Sequence, residues 1–148
     1  YRAAADEPAP DLDRVYRFVD HLEAPVTLGT MTLRVARVDH PVAAYALRVD
    51  AGGRALVYSG DTDYTENLVA LARHADLFIC ESALPDSLHA KGHLTPSLAG
   101  KMAAKAGVRK LILTHFYPEC DRADIAAECR RTYDGPLVLA EDLMEIKI

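Results

Sequence analysis

Apolar residues in this chain form short runs that end on side chains able to bind metal or move a proton. Three runs read as buried strands: Leu56-Val57-Tyr58-Ser59-Gly60-Asp61, Leu77-Phe78-Ile79-Cys80-Glu81 and Leu111-Ile112-Leu113-Thr114-His115. Helical patterns follow them at 66–73, 96–106 and 122–132. This alternation predicts an α/β fold with roughly parallel strands, so Asp61, Glu81 and His115 should meet at one edge of the sheet.

Glycine turns predict two hairpins before the parallel strands. Residues 26–38 alternate around Gly29, and the apolar run 42–49 returns through 54–59 after Ala51-Gly52-Gly53. Because a hairpin brings its open ends together, His40 and Asp61 should lie side by side.

A fifth candidate residue, His93, stands just before the helical pattern at 96–106. Thr95 is a suitable N-cap for that helix and Pro96 a suitable first residue, which would hold His93 on a loop at the same edge. Elsewhere the pattern predicts a loop at 2–10, a short amphipathic helix at 11–21 and an edge strand at 144–148.

Several of these motifs together resemble a known family. In chain order they are Tyr58-Ser59-Gly60-Asp61-Thr62, Glu81, Gly92-His93-Leu94-Thr95, Leu113-Thr114-His115-Phe116 and the ending Leu139-Ala140-Glu141-Asp142-Leu143-Met144-Glu145. They resemble the C-terminal half of the metallo-β-lactamase superfamily, and most of all its ribonuclease Z branch. The resemblance implies half of a four-layer αββα fold, a mixed sheet with helices on one face. Residues 35–148 would form this half, and 1–34 a connecting segment with a short helix and strand.

The resemblance also implies a site and an activity. Two zinc ions are expected in the intact protein, with other divalent metals left open, and His40, Asp61 and His115 would be ligands, Asp61 bridging both ions. Neutral imidazole and carboxylate suit zinc. The Glu81–His93 pair would assist the leaving group while a metal-activated hydroxide attacks phosphorus. The implied function is that of a dinuclear zinc phosphodiesterase.

The superfamily's His-x-His-x-Asp-His signature is absent from the sequence. We therefore expect a missing N-terminal half, carrying that motif, as the main partner. A phosphodiester or RNA is the expected substrate, no membrane is expected as a partner, and a homodimer is a further option.

The composition of the chain excludes few classes of function. The net charge of −5 does not favour a polyanion partner, and no apolar run reaches the roughly 20 residues of a membrane helix. Three cysteines without metal-type pairing indicate a reducing compartment, hence the cytoplasm. Two other readings remain open: a lactonase- or thioesterase-like hydrolase on the same fold, and a non-catalytic domain that lost its site. Taken singly, each candidate residue could also be an ordinary loop, cap or surface group.

Overall fold

The computed structural model describes residues 14, 16 and 24–148 of the chain. In this part, seven strands form one sheet in sequential order, together with three α-helices. The strands are β1 (Val26–Leu28), β2 (Met31–Arg37), β3 (Tyr45–Ala51), β4 (Arg54–Tyr58), β5 (Leu77–Glu81), β6 (Leu111–Thr114) and β7 (Leu137–Leu139). The helices are α1 (Glu66–Leu71), α2 (Pro96–Ala106) and α3 (Ile125–Arg130). The helix predicted at 11–21 and the loop predicted at 2–10 rest mainly on residues outside the described part.

The sheet is mixed, as predicted. Strands β1 to β4 pair antiparallel, and β4 to β7 pair parallel. Both predicted hairpins are confirmed, β1–β2 and β3–β4. Gly52 and Gly53 turn the second hairpin with φ of 55° and 74°, a backbone region that glycine enters without steric cost.

Local signals set the ends of the helices. Helix α2 begins at Pro96 after Thr95 in the N-cap position and ends before Gly107, whose φ of 65° gives a left-handed C-terminal cap. Helix α3 begins later than the predicted 122, at Ile125. Residues Pro118–Arg122 form a 3₁₀ turn instead, and the Asp124 carboxylate accepts from the Ala127 amide at 2.9 Å to cap the helix.

The edge strand predicted at 144–148 is wrong. The edge is formed by β7, which the pattern did not predict, and residues 144–148 have no strand structure. Strand β7 follows α3 closely and takes the free side of β6, where Leu111 pairs with Leu137 and Leu113 with Leu139. The alternating ending therefore finds that side of β6 already paired.

The two faces of the sheet are covered differently. On one face, Val57, Phe78 and Leu111 pack with Leu68 of α1 and Met102 of α2 in a single buried cluster. Because side chains alternate along a strand, the neighbouring residues point to the other face. Helices on one face confirm the predicted layering.

The other face carries a row of apolar side chains in register across six strands. Its members pair in succession from β2 to β7: Val35, Leu47, Tyr58, Ile79, Ile112 and Val138. Ile112 is buried, most of the others are half-buried, and Tyr58 is 44% exposed. We call these six residues the apolar row.

Arg34 on β2 and Arg48 on β3 are held in place by ion pairs and hydrogen bonds. Arg34 and Arg48 pair across the strands, and each contacts the Asp50 carboxylate at 3.0 Å. Arg48 also donates to the carbonyls of Leu71 and Arg73 at 2.9 Å, which links the sheet to the end of α1. Arg48 therefore has a structural role in holding β3 to α1.

Among residues 14, 16 and 24–148, no helix is long and apolar enough to cross a lipid bilayer.

Candidate metal centre

Three candidate residues lie where parallel strands end. Asp61 follows β4, Glu81 is the last residue of β5, and His115 follows β6. The turn into Asp61 needs Gly60, because its φ is 60° and a Cβ there would lie 2.9 Å from the Tyr45 carbonyl oxygen. The sequence-predicted convergence of strand ends thus has a direct structural basis.

Asp61, His93 and His115 form a group of three possible metal ligands. One ligand atom from each lies within 4.8 Å of the others, and His115 Nε2 is 3.7 Å from Asp61 Oδ1. His115 has a φ of 64°, a left-handed conformation that costs a non-glycine residue energy and is frequent at functional sites. The prediction placed His93 beside the ligands as a proton donor, and here its ring stands within the group itself.

Behind His93 lies a buried carboxylate. Glu81 is 1% exposed, and its Oε1 contacts His93 Nδ1 at 3.0 Å. Glu81 also accepts hydrogen bonds from the backbone amides of Thr62 at 2.8 Å and Ala83 at 3.1 Å. Burial raises the pKa of Glu81, and the Thr62 amide and the His93 ring act in the opposite direction. When Nδ1 donates to this carboxylate, Nε2 is the ring atom left for a metal or a substrate.

His40 lies next to His93, outside this group of three. The two rings meet edge to face with centroids 5.6 Å apart. The His40 Nδ1 accepts a long hydrogen bond from the Val42 amide at 3.4 Å. The strand ends that carry His40 and Asp61 are joined through an isolated bridge between Asp39 and Asp63.

The sequence did not point to Tyr117, which borders the same site. Its ring centroid lies 5.3 Å from that of His115 and 5.7 Å from that of His93, and the residue is 38% exposed. Tyr117 follows the Leu113–Phe116 motif directly, but only the fold shows that its ring turns back onto both histidines.

Asp63 and His89 are a second pair that the sequence did not indicate. His89 Nε2 lies 3.3 Å from Asp63 Oδ1, and the Gly92 amide donates to Asp63 Oδ2 at 3.3 Å. Burial raises the pKa of Asp63, but hydrogen bonds from the amides of Tyr64 and Gly92 and from His89 outweigh it and hold this pKa below its ordinary value. The remaining described histidine, His74, has a φ of 53° and lines a cavity near the β3–β4 turn.

The donor set fits a zinc ion. Zinc in proteins takes imidazole nitrogens and carboxylate oxygens at about 2.0–2.2 Å, which puts its ligands roughly 3.4 Å from one another. The 3.7 Å between His115 and Asp61 is close to this value, and the 4.8 Å limit for the whole group requires only a small movement. Three side chains leave coordination positions for further ligands.

Comparison with known proteins identifies the class. The protein family described as "Beta-lactamase superfamily domain" matches residues 11–116 of the chain. The chain is 43% identical over 103 residues to a ribonuclease Z of Salinispora arenicola, covering 65% of this chain and 33% of that protein. It is 39% identical over 142 residues to the uncharacterized protein Rv1339 of Mycobacterium tuberculosis, covering 93% and 51%.

Solved structures agree with the sequence matches. The crystal structure of the metallo-β-lactamase fold protein YhfI from Bacillus subtilis superposes with a TM-score of 0.75 at 28% identity, over 82% of this chain and 51% of that one. The chain therefore belongs to the β-lactamase superfamily of metallo-β-lactamase fold proteins, and its relatives include ribonuclease Z. It spans about half the length, or less, of the curated relatives named here.

Proposed function

We propose that the intact protein is a dinuclear zinc phosphodiesterase similar to ribonuclease Z, with residues 35–148 as the C-terminal half of its catalytic domain. The observation that most supports this proposal is the approach of Asp61 and His115 to within 3.7 Å at one edge of the sheet, with the His93 ring and its buried partner Glu81 directly beside them. A carboxylate and imidazoles suit the metal, and a buried carboxylate–histidine pair suits proton transfer.

In this proposal His40, Asp61 and His115 hold the metal, with Asp61 placed to reach both ions. Zinc, when bound, would activate water for attack and offset the charge that develops on phosphorus-bound oxygens. His115 has a left-handed backbone conformation, and the Tyr117 ring packs against its imidazole. The other ligands that the resemblance implies would come from a His-x-His-x-Asp-His motif of the intact protein.

His93 is the proposed proton donor. The Glu81 carboxylate accepts from Nδ1, which orients the ring, and Nε2 then gives its proton to the departing oxygen of the substrate. Because two backbone amides also bind this carboxylate, Glu81 has little freedom to move away. This arrangement serves a substrate whose leaving oxygen needs a proton, as an alkoxide does.

The apolar row is the proposed contact with the N-terminal half. Six apolar side chains in register line this face of the sheet next to the site-bearing edge, four of them half-buried and Tyr58 44% exposed. Surfaces of this kind mark protein contacts. The position of Tyr58, at the site end of β4, would place the N-terminal metal ligands beside Asp61.

The proposed substrate is a phosphodiester, with an RNA 3′ end or a small phosphodiester as the two forms to compare. The ribonuclease Z relatives favour RNA. The interval between His40 and Asp61 is a plain hairpin without an inserted RNA-binding arm, and the net charge of −5 is no help to RNA binding. Three free, buried cysteines suit a cytoplasmic protein.

The test uses the intact protein expressed from its full gene. Asp61→Ala should lose both zinc and activity, whereas His93→Ala should keep most of its zinc and lose rate. That loss should be about 10²–10⁴-fold on an alkyl phosphodiester and small on a nitrophenyl phosphodiester, which departs without a proton. His74→Ala, a histidine near the β3–β4 turn, is the matched control and should behave as wild type.

Two results would contradict the proposal. If His93→Ala strips zinc or slows both substrates equally, His93 is a ligand or a binding group. If the intact zinc-loaded protein cleaves a lactone or thioester and neither RNA nor a small phosphodiester, the reaction class is wrong.

A further inference from the structure

Three loops at the site-bearing edge are joined through one residue, Asp63, that has no role in the function proposed above. The loops are 39–41, which carries His40, 61–63, which carries Asp61, and 89–93, which carries His93. Asp63 belongs to the second loop and contacts both of the others.

The first connection runs through the backbone. The Asp63 amide donates to the Asp39 carbonyl at 2.7 Å, and the Asp39 amide donates to Thr62 Oγ1 at 3.2 Å. The Thr62 hydroxyl in turn donates to the Asp63 carbonyl at 2.7 Å. These bonds fix the strand end before His40 against the turn after Asp61.

The second connection runs through the carboxylate. Oδ2 of Asp63 accepts from the Gly92 amide, and Oδ1 contacts His89 Nε2, both at 3.3 Å. Oδ1 also accepts from the amide of the next residue, Tyr64, at 2.7 Å, which fixes the carboxylate itself. The 89–92 segment therefore has two of its groups held by one side chain, directly before His93.

The third connection links segment 89–92 to the loop that carries His40. Gly92 is buried with a φ of 89°, and a Cβ on it would lie 2.6 Å from Pro41 Cδ and 3.2 Å from His40 Cδ2. Segment 89–92 therefore packs closely against His40 and Pro41 through Gly92, and the Gly92 amide also donates a hydrogen bond to Asp63.

We propose that Asp63 is a positioning residue for His93: it holds the 89–93 loop so that the imidazole stays between Glu81 and the Asp61–His115 pair. This inference rests on the proposed role of His93 as proton donor. Asp63 touches neither substrate nor metal in this scheme and acts through the loop alone. Glu81 orients the ring of His93, and Asp63 fixes the backbone that carries it.

The test is Asp63→Asn in the intact protein. Asp63 uses one carboxylate oxygen for Gly92 and the other for Tyr64 and His89, so an amide, which has a single acceptor oxygen, cannot keep all three contacts. We expect the rate on an alkyl phosphodiester to fall about tenfold, the scale of one lost hydrogen bond. On a nitrophenyl phosphodiester the rate should stay near wild type, and the zinc content should be unchanged. In a His93→Ala background the same change should cause no further loss, because the donor it positions is gone.

Asp76→Asn is the matched control. Asp76 also accepts from a backbone amide, that of Ala55 at 2.9 Å, and from an arginine, but it lies near the β3–β4 turn rather than among the site loops. Its variant should keep the wild-type ratio of rates on the two substrates. Equal loss on both substrates by Asp63→Asn, or full additivity with His93→Ala, would overturn the proposal.

A second measurement keeps this inference separate from the proposed function. Amide hydrogen exchange at Gly92 should speed up at least about tenfold in Asp63→Asn and stay unchanged in Asp76→Asn. Unchanged exchange at Gly92 would overturn the positioning role whatever the kinetics. Faster exchange, combined with no leaving-group effect in His93→Ala, would retain Asp63 as the loop anchor and reject His93 as the donor.

Discussion

Removing the Glu81 carboxylate should destabilise the fold as well as the site. Glu81→Ala takes the acceptor away from the amides of Thr62 and Ala83 and from the His93 ring. Thr62 and Ala83 are fully buried, so their N–H groups cannot turn to water instead.

The size of the loss follows from these contacts. Each buried donor left unpaired costs about 1–3 kcal/mol, and two such donors give roughly 2–6 kcal/mol. Burial disfavours the charged carboxylate, as its raised pKa indicates, so removing it returns part of that cost. We expect Glu81→Ala to lower the free energy of unfolding by about 2–4 kcal/mol, and Glu81→Gln, which keeps one acceptor oxygen, by about half as much.

Urea unfolding of the metal-free protein measures this loss without a contribution from zinc. Glu128→Ala is the control, because Glu128 also accepts from one backbone amide, that of Asp86 at 2.9 Å, but is only partly buried. It should cost no more than about 1 kcal/mol. The reasoning fails if Glu81→Ala lies within about 0.5 kcal/mol of wild type, or if Glu128→Ala costs as much as Glu81→Ala.

Two further predictions concern the core and the apolar row. Burial raises the pKa of Cys129 to about 11, whereas an unfolded thiol ionises near 9.0. The native state therefore holds its proton longer, so stability should fall as pH rises from 9 to 11, and Cys129→Ala should flatten part of this slope in urea titrations; an unchanged slope would contradict it. For the apolar row, Tyr58→Asp should weaken association with a separately expressed N-terminal half at least about 100-fold in calorimetric titration, since it puts a charge into an apolar contact. The melting temperature of this chain alone should change little, as Tyr58 is 44% exposed; wild-type affinity in Tyr58→Asp would rule out the apolar row as the contact.

Much of the fold could be predicted because its signals are local. Helix α2 has a proline at its start and a glycine at its end, and the β3–β4 hairpin has two adjacent turn glycines. Strand β7 could not be predicted in this way. Its three apolar residues become a strand only because β6 offers a free side after α3, and a single-strand pattern does not contain that information. Residues 144–148 alternate but form no strand, because β7 already occupies that side of β6.

The candidate site, like the fold, could be predicted from the sequence only in part. Asp61, Glu81 and His115 could be placed together because each ends a parallel strand, and sheet topology then brings them to one edge. The contacts of Asp63 with His89 and of Tyr117 with His115 join loops that are distant in sequence or turn back on themselves. Such contacts depend on how the loops pack and follow no periodic pattern.

The left-handed backbone at His115 has a consequence for protein engineering. A φ of 64° costs most L-residues about 1–3 kcal/mol, and glycine or asparagine adopts it more readily. Selection of variants for heat resistance alone would therefore favour replacing this histidine, and would remove a proposed zinc ligand as it succeeded. A thermostability screen on this chain needs a simultaneous demand for metal content, or its best hits will include proteins that fold better and bind nothing.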